Sequence, residues 1–93
     1  MKVVLAKRAA RDIRAIEAYV RNENPQAAKD TIAAMAAAIE TLTLHPNSGR
    51  KVTAHGVRRF PVPRTPYLAY YRIAGEEVLI LHVRDGRRRP YTP

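Results

Sequence analysis

The stretch from Val57 to Arg89 constrains the fold most, because it alternates between apolar and polar residues in three short runs. These are Val57-Arg58-Arg59-Phe60-Pro61-Val62, Tyr67-Leu68-Ala69-Tyr70-Tyr71-Arg72-Ile73 and Val78-Leu79-Ile80-Leu81-His82-Val83. Short β-branched and aromatic runs bounded by Gly and Pro are strand signals. Ala74-Gly75-Glu76-Glu77 supplies the turn chemistry of a hairpin between the last two runs. The three runs together predict an antiparallel meander. Directly after it comes Arg84-Asp85-Gly86-Arg87-Arg88-Arg89, the densest charge in the chain.

The rest of the chain must supply a cover for that sheet. Val3-Val4-Leu5-Ala6 reads as a short first strand. Ala9, Ile13, Ile16 and Val20 then recur at spacings of four, three and four, the pattern of a helix with one buried face. Tyr19 flanks this stripe, while Arg8, Arg11, Arg14 and Glu17 take the other side. The helix should stop near Asn22, where Asn22-Glu23-Asn24-Pro25 has turn composition. Asn24 then caps a second helix that has Pro25 at its first position. In that helix Ala28, Ile32, Met35, Ile39 and Leu42 form one apolar stripe among helix-favouring alanines. It ends at His45-Pro46, since the residue before a proline avoids helical geometry. Two helices joined by so short a turn are antiparallel neighbours. Arg50 to Gly56 shows no periodicity and reads as a loop.

Size and charge bound what such a chain can do. Its 93 residues fit one domain, spanning 1–93. A domain of this size buries only about 60–65% of the surface its unfolded chain exposes, so stability can depend on a partner. The absence of cysteine excludes disulfide staples and thiol chemistry. No apolar run approaches the roughly 18 residues of a membrane span, and the early charge of Lys2 and Lys7 argues against a signal peptide. The expectation is a cytoplasmic protein with no membrane partner. The net charge of +9 is uneven, at +2 over residues 1–46 and +7 over residues 47–93. A focused positive field attracts nucleic acid, anionic surfaces or an acidic protein.

Conventional hydrolytic chemistry is disfavoured. His45, His55 and His82 lack a metal-ligand cadence, so no metal or cofactor is expected. Ser48, the only serine, has no nucleophile-elbow context, and Glu76-Glu77 falls in the predicted turn. What remains is arginine with tyrosine. Arg58, Arg59, Arg72, Arg84, Arg87, Arg88 and Tyr91 converge if the strand ends lie close together. Arginine binds phosphate in a bidentate manner, and tyrosine stacks on bases or moves protons. The last two strands are also apolar on both faces, with Val78, Ile80 and His82 opposing Leu79, Leu81 and Val83. The helices cover one face. The other needs a protein partner or the C-terminal tail.

Several of these segments, in this order, resemble the RelE/ParE superfamily of bacterial toxins. They are Ala10-Arg11-Asp12-Ile13, Asn24-Pro25-Gln26-Ala27-Ala28, the helix exit Leu42 to Arg50 with its Pro46 and Gly49-Arg50, Val57-Arg58-Arg59-Phe60, Tyr70-Tyr71-Arg72-Ile73, and the closing run Val78 to Arg88. The resemblance implies an α+β two-layer sandwich. An N-terminal strand and an antiparallel two-helix hairpin would pack on an antiparallel sheet of three to four strands. It implies a type II toxin neutralised by a cognate antitoxin that is acidic and partly disordered when free, in a hetero-oligomer. The antitoxin would contact Leu68, Tyr70, Arg72, Ile80 and His82.

Activity divides within this superfamily. The long alanine-rich hairpin and the Arg87-Arg88 ending look ParE-like, implying non-enzymatic inhibition of DNA gyrase through Arg58, Arg59, Arg84, Arg87 and Arg88. Asp85 departs from that pattern, where His is frequent. The alternative is a RelE-like endoribonuclease acting on messenger RNA in the ribosome, with Lys51, Arg59, Arg84 and Tyr91 as its catalytic set. A basic nucleic-acid-binding module with no toxic target is a further alternative.

Overall fold

A computed structural model describes residues 1–87. Five strands and two helices follow in the order β1 (Lys2–Leu5), α1 (Lys7–Glu23), α2 (Pro25–Leu44), β2 (Arg50–Lys51), β3 (Arg58–Pro61), β4 (Tyr67–Ala74) and β5 (Glu77–Asp85). They form one sheet of order β1-β5-β4-β3-β2, with both helices packed on one side. The α+β two-layer arrangement and the meander agree with the expectation. The sheet has five strands rather than three or four, because Arg50–Lys51 pairs with β3 instead of forming a loop. It is also mixed, since β1 lies parallel to β5.

Local chemistry explains the helical hairpin. Asn24 accepts the amide hydrogens of Gln26 and Ala27 at 2.9 and 3.2 Å, and Pro25 follows it at the first helical position. The predicted cap therefore forms as read. Ala9, Met35, Ala38 and Leu42 are buried against the sheet, with Ile13, Ile16, Val20 and Ile39 packed around them. Ile32 is the exception. It stands 36% exposed on the outer side of α2, beside the groove between the helices.

The sheet side of this core consists of Tyr67, Ala69, Tyr71, Val78, Ile80 and Val83. Strict alternation along β5 cannot put Ile80 and Val83 on one face. The pairing shows how they come together: Tyr70 lies opposite His82, but Tyr71 lies opposite Ile80, leaving Leu81 as an extra residue. This bulge reverses the facing of everything beyond it. Ile80, expected on the far face, is therefore 2% exposed in the core. Leu79, opposite Arg72, takes the far-face place instead.

The helix exit is held by Tyr71. Its side chain is fully buried, and its hydroxyl accepts the Gly49 amide hydrogen at 2.8 Å and donates to the Pro46 carbonyl at 2.7 Å. A Cβ at residue 49 would lie 2.6 Å from the Tyr71 ring, so glycine is required there by close approach. At the opposite edge, Ala6 donates to Ile80, and beyond it Asp12 of α1 accepts from the Val83 amide at 3.0 Å. That carboxylate satisfies an edge donor that β1 is too short to reach.

Candidate functional site

The register sorts the predicted residues between the two faces of the sheet. Directly opposed residues in antiparallel strands share a face. Arg50, Arg59, Tyr70 and His82 form one row across four strands, and Pro61, Leu68 and Arg84 form the next. Arg72 and Leu79 complete the same face, away from the helices. Of the residues predicted to contact the antitoxin, Leu68, Tyr70, Arg72 and His82 thus come together, and Ile80 does not. Tyr70 and His82 are buried and stacked, their rings 4.5 Å apart and inclined by 10°. Leu68 is half-buried and Arg72 is exposed.

The arginines separate in the same way. Arg59 and Arg84 lie on the far face, both half-buried. Arg58 lies opposite Tyr71 on the helix-facing side, and its guanidinium donates to the carbonyls of Gly49 at 2.7 Å and Asn47 at 3.3 Å. It serves the helix exit. Arg87 is held by Asp85 through two contacts, at 3.1 and 2.8 Å, and the carboxylate raises its pKa. Lys51 faces Arg58, on the opposite side of the sheet from Arg59 and Arg84. Arg88 and Tyr91 lie outside the described residues. The catalytic set named for a ribonuclease is thus split between two faces as far as it is described.

Positive charge concentrates at the β2 edge of the sheet. Both rungs joining β2 to β3 set cation against cation, with Arg50 opposite Arg59 and Lys51 opposite Arg58. Like charges directly opposed destabilise a ladder. Arg50 escaped the sequence reading because a two-residue strand leaves no periodicity; only its place after Pro46 and Gly49 marked it. Among the described residues, no group of three or more His, Cys, Asp or Glu side chains could hold a metal ion. His82 has its pKa lowered by burial, then by Arg8, with Asp12 opposing and Arg84 adding to the shift. Cationic and apolar side chains thus share the far face.

Comparison with known proteins now decides the family. The family described as ParE toxin of type II toxin-antitoxin system, parDE, matches residues 3–90. The chain belongs to the ParE toxin family. Sinorhizobium fredii has a protein named "Putative toxin Y4kP" that is 34% identical over 82 residues, covering 88% of this chain and 84% of the relative. A chain of the solved "Chromosomal ParDE TA system from P. aeruginosa" superposes with a TM-score of 0.82 at 26% identity, covering 91% of this chain and 95% of that one. Family membership implies an antitoxin partner. No helix among the described residues is long and apolar enough to cross a membrane.

Proposed function

We propose that this ParE-family chain inhibits DNA gyrase by binding it, and that an acidic antitoxin neutralises it by occupying the far face of the sheet. The family match over residues 3–90 carries this reading. The far face supports the antitoxin half. Leu68 and Leu79 offer apolar contact beside the stacked Tyr70 and His82, and Arg50, Arg59, Arg72 and Arg84 surround them with guanidinium groups. An acidic segment, partly disordered when free, neutralises the opposed Arg50 and Arg59 of β2 and β3 as it folds there. Gyrase uses Arg59 and Arg84 of the same face, together with Arg88, so the antitoxin acts by occlusion. Arg58 contributes less, since it lies on the helix-facing side and serves the helix exit, and Arg87 is held by Asp85. The hetero-oligomer resides in the cytoplasm.

Two assays on purified, antitoxin-free protein test this. Inhibition of gyrase supercoiling with messenger RNA left intact on translating ribosomes is the expected result. Cleaved messenger with normal supercoiling overturns it in favour of a ribonuclease, as does a protein silent in both assays in favour of neither. Reversing charge at Arg59 and Arg84 should abolish inhibition, whereas Tyr91→Phe should change little, because no proton moves. A ribonuclease would instead lose about 100- to 1,000-fold with a transition-state donor.

A further inference from the structure

The +2 charge of the N-terminal half hides a strong asymmetry on α1. One turn of helix is 3.6 residues, so Lys7, Arg11, Arg14, Ala18 and Arg21 line a single stripe, opposite the buried Ala9 and the half-buried Ile13, Ile16 and Val20. All five stripe residues are exposed. The carboxylates of α1 lie off this stripe: Asp12 turns inward to the Val83 amide, Glu17 pairs with Arg21 at 3.2 Å, and Glu23 falls on the opposite side at the last helical position. Lys7, Arg11 and Arg14 have no carboxylate within ion-pair distance among the described residues.

This arrangement works against the helix itself. Like charges at spacings of three and four destabilise a helix. The first turn contains no acidic residue and opens with Lys7-Arg8 at the positive end of the helix dipole, and Ala6 supplies no side-chain cap. Both costs disappear against a polyanion. A protein partner needs large apolar or aromatic anchors, but the stripe offers only Ala18 between its cations, with Ala15 beside it. Small residues between cations suit close approach to a regular line of charge. A single-stranded nucleic acid needs a series of stacking aromatics, and Tyr19, 63% exposed, is the one aromatic beside this face.

We propose that this face of α1 binds the phosphate backbone of duplex DNA without reading its sequence. The rise from Lys7 to Arg14 is about 10 Å and to Arg21 about 21 Å, a rigid line laid against a duplex that carries one charge per roughly 1.7 Å of its axis. Because the helices cover the other side of the sheet, α1 stays free when the far face is occupied. A toxin–antitoxin complex near DNA would therefore gain phosphate contacts from its toxin subunit.

The test measures affinity of the full chain for a 25-base-pair duplex of arbitrary sequence by fluorescence anisotropy, over a series of salt concentrations. Removing three cations with Lys7→Gln, Arg11→Gln and Arg14→Gln should make the slope of log K against log salt shallower by about 2.7 and weaken binding roughly 100- to 1,000-fold near 0.1 M salt. Arg50→Gln, Arg59→Gln and Arg72→Gln remove the same net charge from the sheet and should change the slope by less than about one. Arg11→Lys with Arg14→Lys should keep it, which separates charge from any loss of fold. Equal losses in the two triple variants would reduce the effect to net charge and overturn the proposal. Equal affinity for a single strand of the same length, or tighter binding of polyglutamate than of duplex, would overturn it too.

Discussion

The two faces of the sheet are built from the same strands by opposite rules. Facing the helices, the polar groups at the helix exit are paired: the Tyr71 hydroxyl serves both Gly49 and Pro46, and Arg58 caps carbonyls of the same segment. On the far face, Arg50 stands opposite Arg59, and Arg72 opposite Leu79. The first face spends its chemistry on the fold. The second sets cations beside apolar surface, a composition that would suit a complementary acidic partner. Neighbouring residues therefore turn to opposite faces, and Arg58 and Arg59 are the clearest pair.

If that division holds, substitutions on the helix-facing side should dominate stability. Leu42 is fully buried at the centre of the core, so Leu42→Ala should cost about 2–5 kcal/mol in urea unfolding. Such a loss is a large part of the roughly 5–15 kcal/mol that a domain possesses. A cost under about 1 kcal/mol would mean that the core collapses around the gap. Tyr71→Phe should cost about 1–3 kcal/mol, because it strands a buried amide and a carbonyl at the helix exit. Faster hydrogen exchange at Gly49 should accompany it. Unchanged exchange there would show that water or Arg58 can replace the hydroxyl.

Much of this division was legible in the chain and some was not, for physical reasons. The helix stripes and the Asn24-Pro25 junction are local signals, and apart from the exposed Ile32 they formed where periodicity placed them. The facing of β5 was not legible beyond Leu81, since one extra residue inverts a period of two and leaves no mark in composition. That is why Ile80 moved from the expected interface into the core. The β2 strand is set by pairing with a distant segment, and the parallel direction of β1 by the crossover of α1. Neither is local. The partition of the arginines depended on the same register, so the charge census placed most of the cations in the sheet half without showing which face each one takes.

A smaller effect tests the buried aromatic pair on the far face. Burial and the nearby Arg8 and Arg84 hold the pKa of His82 below its ordinary 6.5, against the pull of Asp12. The unfolded chain therefore binds a proton as pH falls through 6.5, while the folded chain resists it. Stability contributed by neutral His82 is complete above 6.5 and declines as pH falls from there towards the folded pKa. The slope cannot exceed about 1.4 kcal/mol per pH unit for one proton. His82→Gln should remove this part of the acid sensitivity in urea unfolding. An unaltered pH profile in that variant would mean that other groups control it.

The smallest effect concerns the opposed cations themselves. Arg50 is exposed and faces Arg59 across a two-rung ladder. If the rung is only a repulsion retained for an anionic partner, Arg50→Gln should stabilise the free protein, by about 0.2–1 kcal/mol at low ionic strength. The gain should shrink as salt rises from about 0.01 M to 0.15 M, where the Debye length falls from roughly 30 to 8 Å. For the same reason the melting temperature of the unaltered chain, with its net charge of +9, should rise over that salt range. Thermal unfolding of both proteins at the two salt concentrations measures all of this. Should Arg50→Gln destabilise the chain equally at both, Arg50 would be supporting the fold by packing, as Arg58 does by hydrogen bonding. The edge of the far face would then belong to the scaffold and not to the interface.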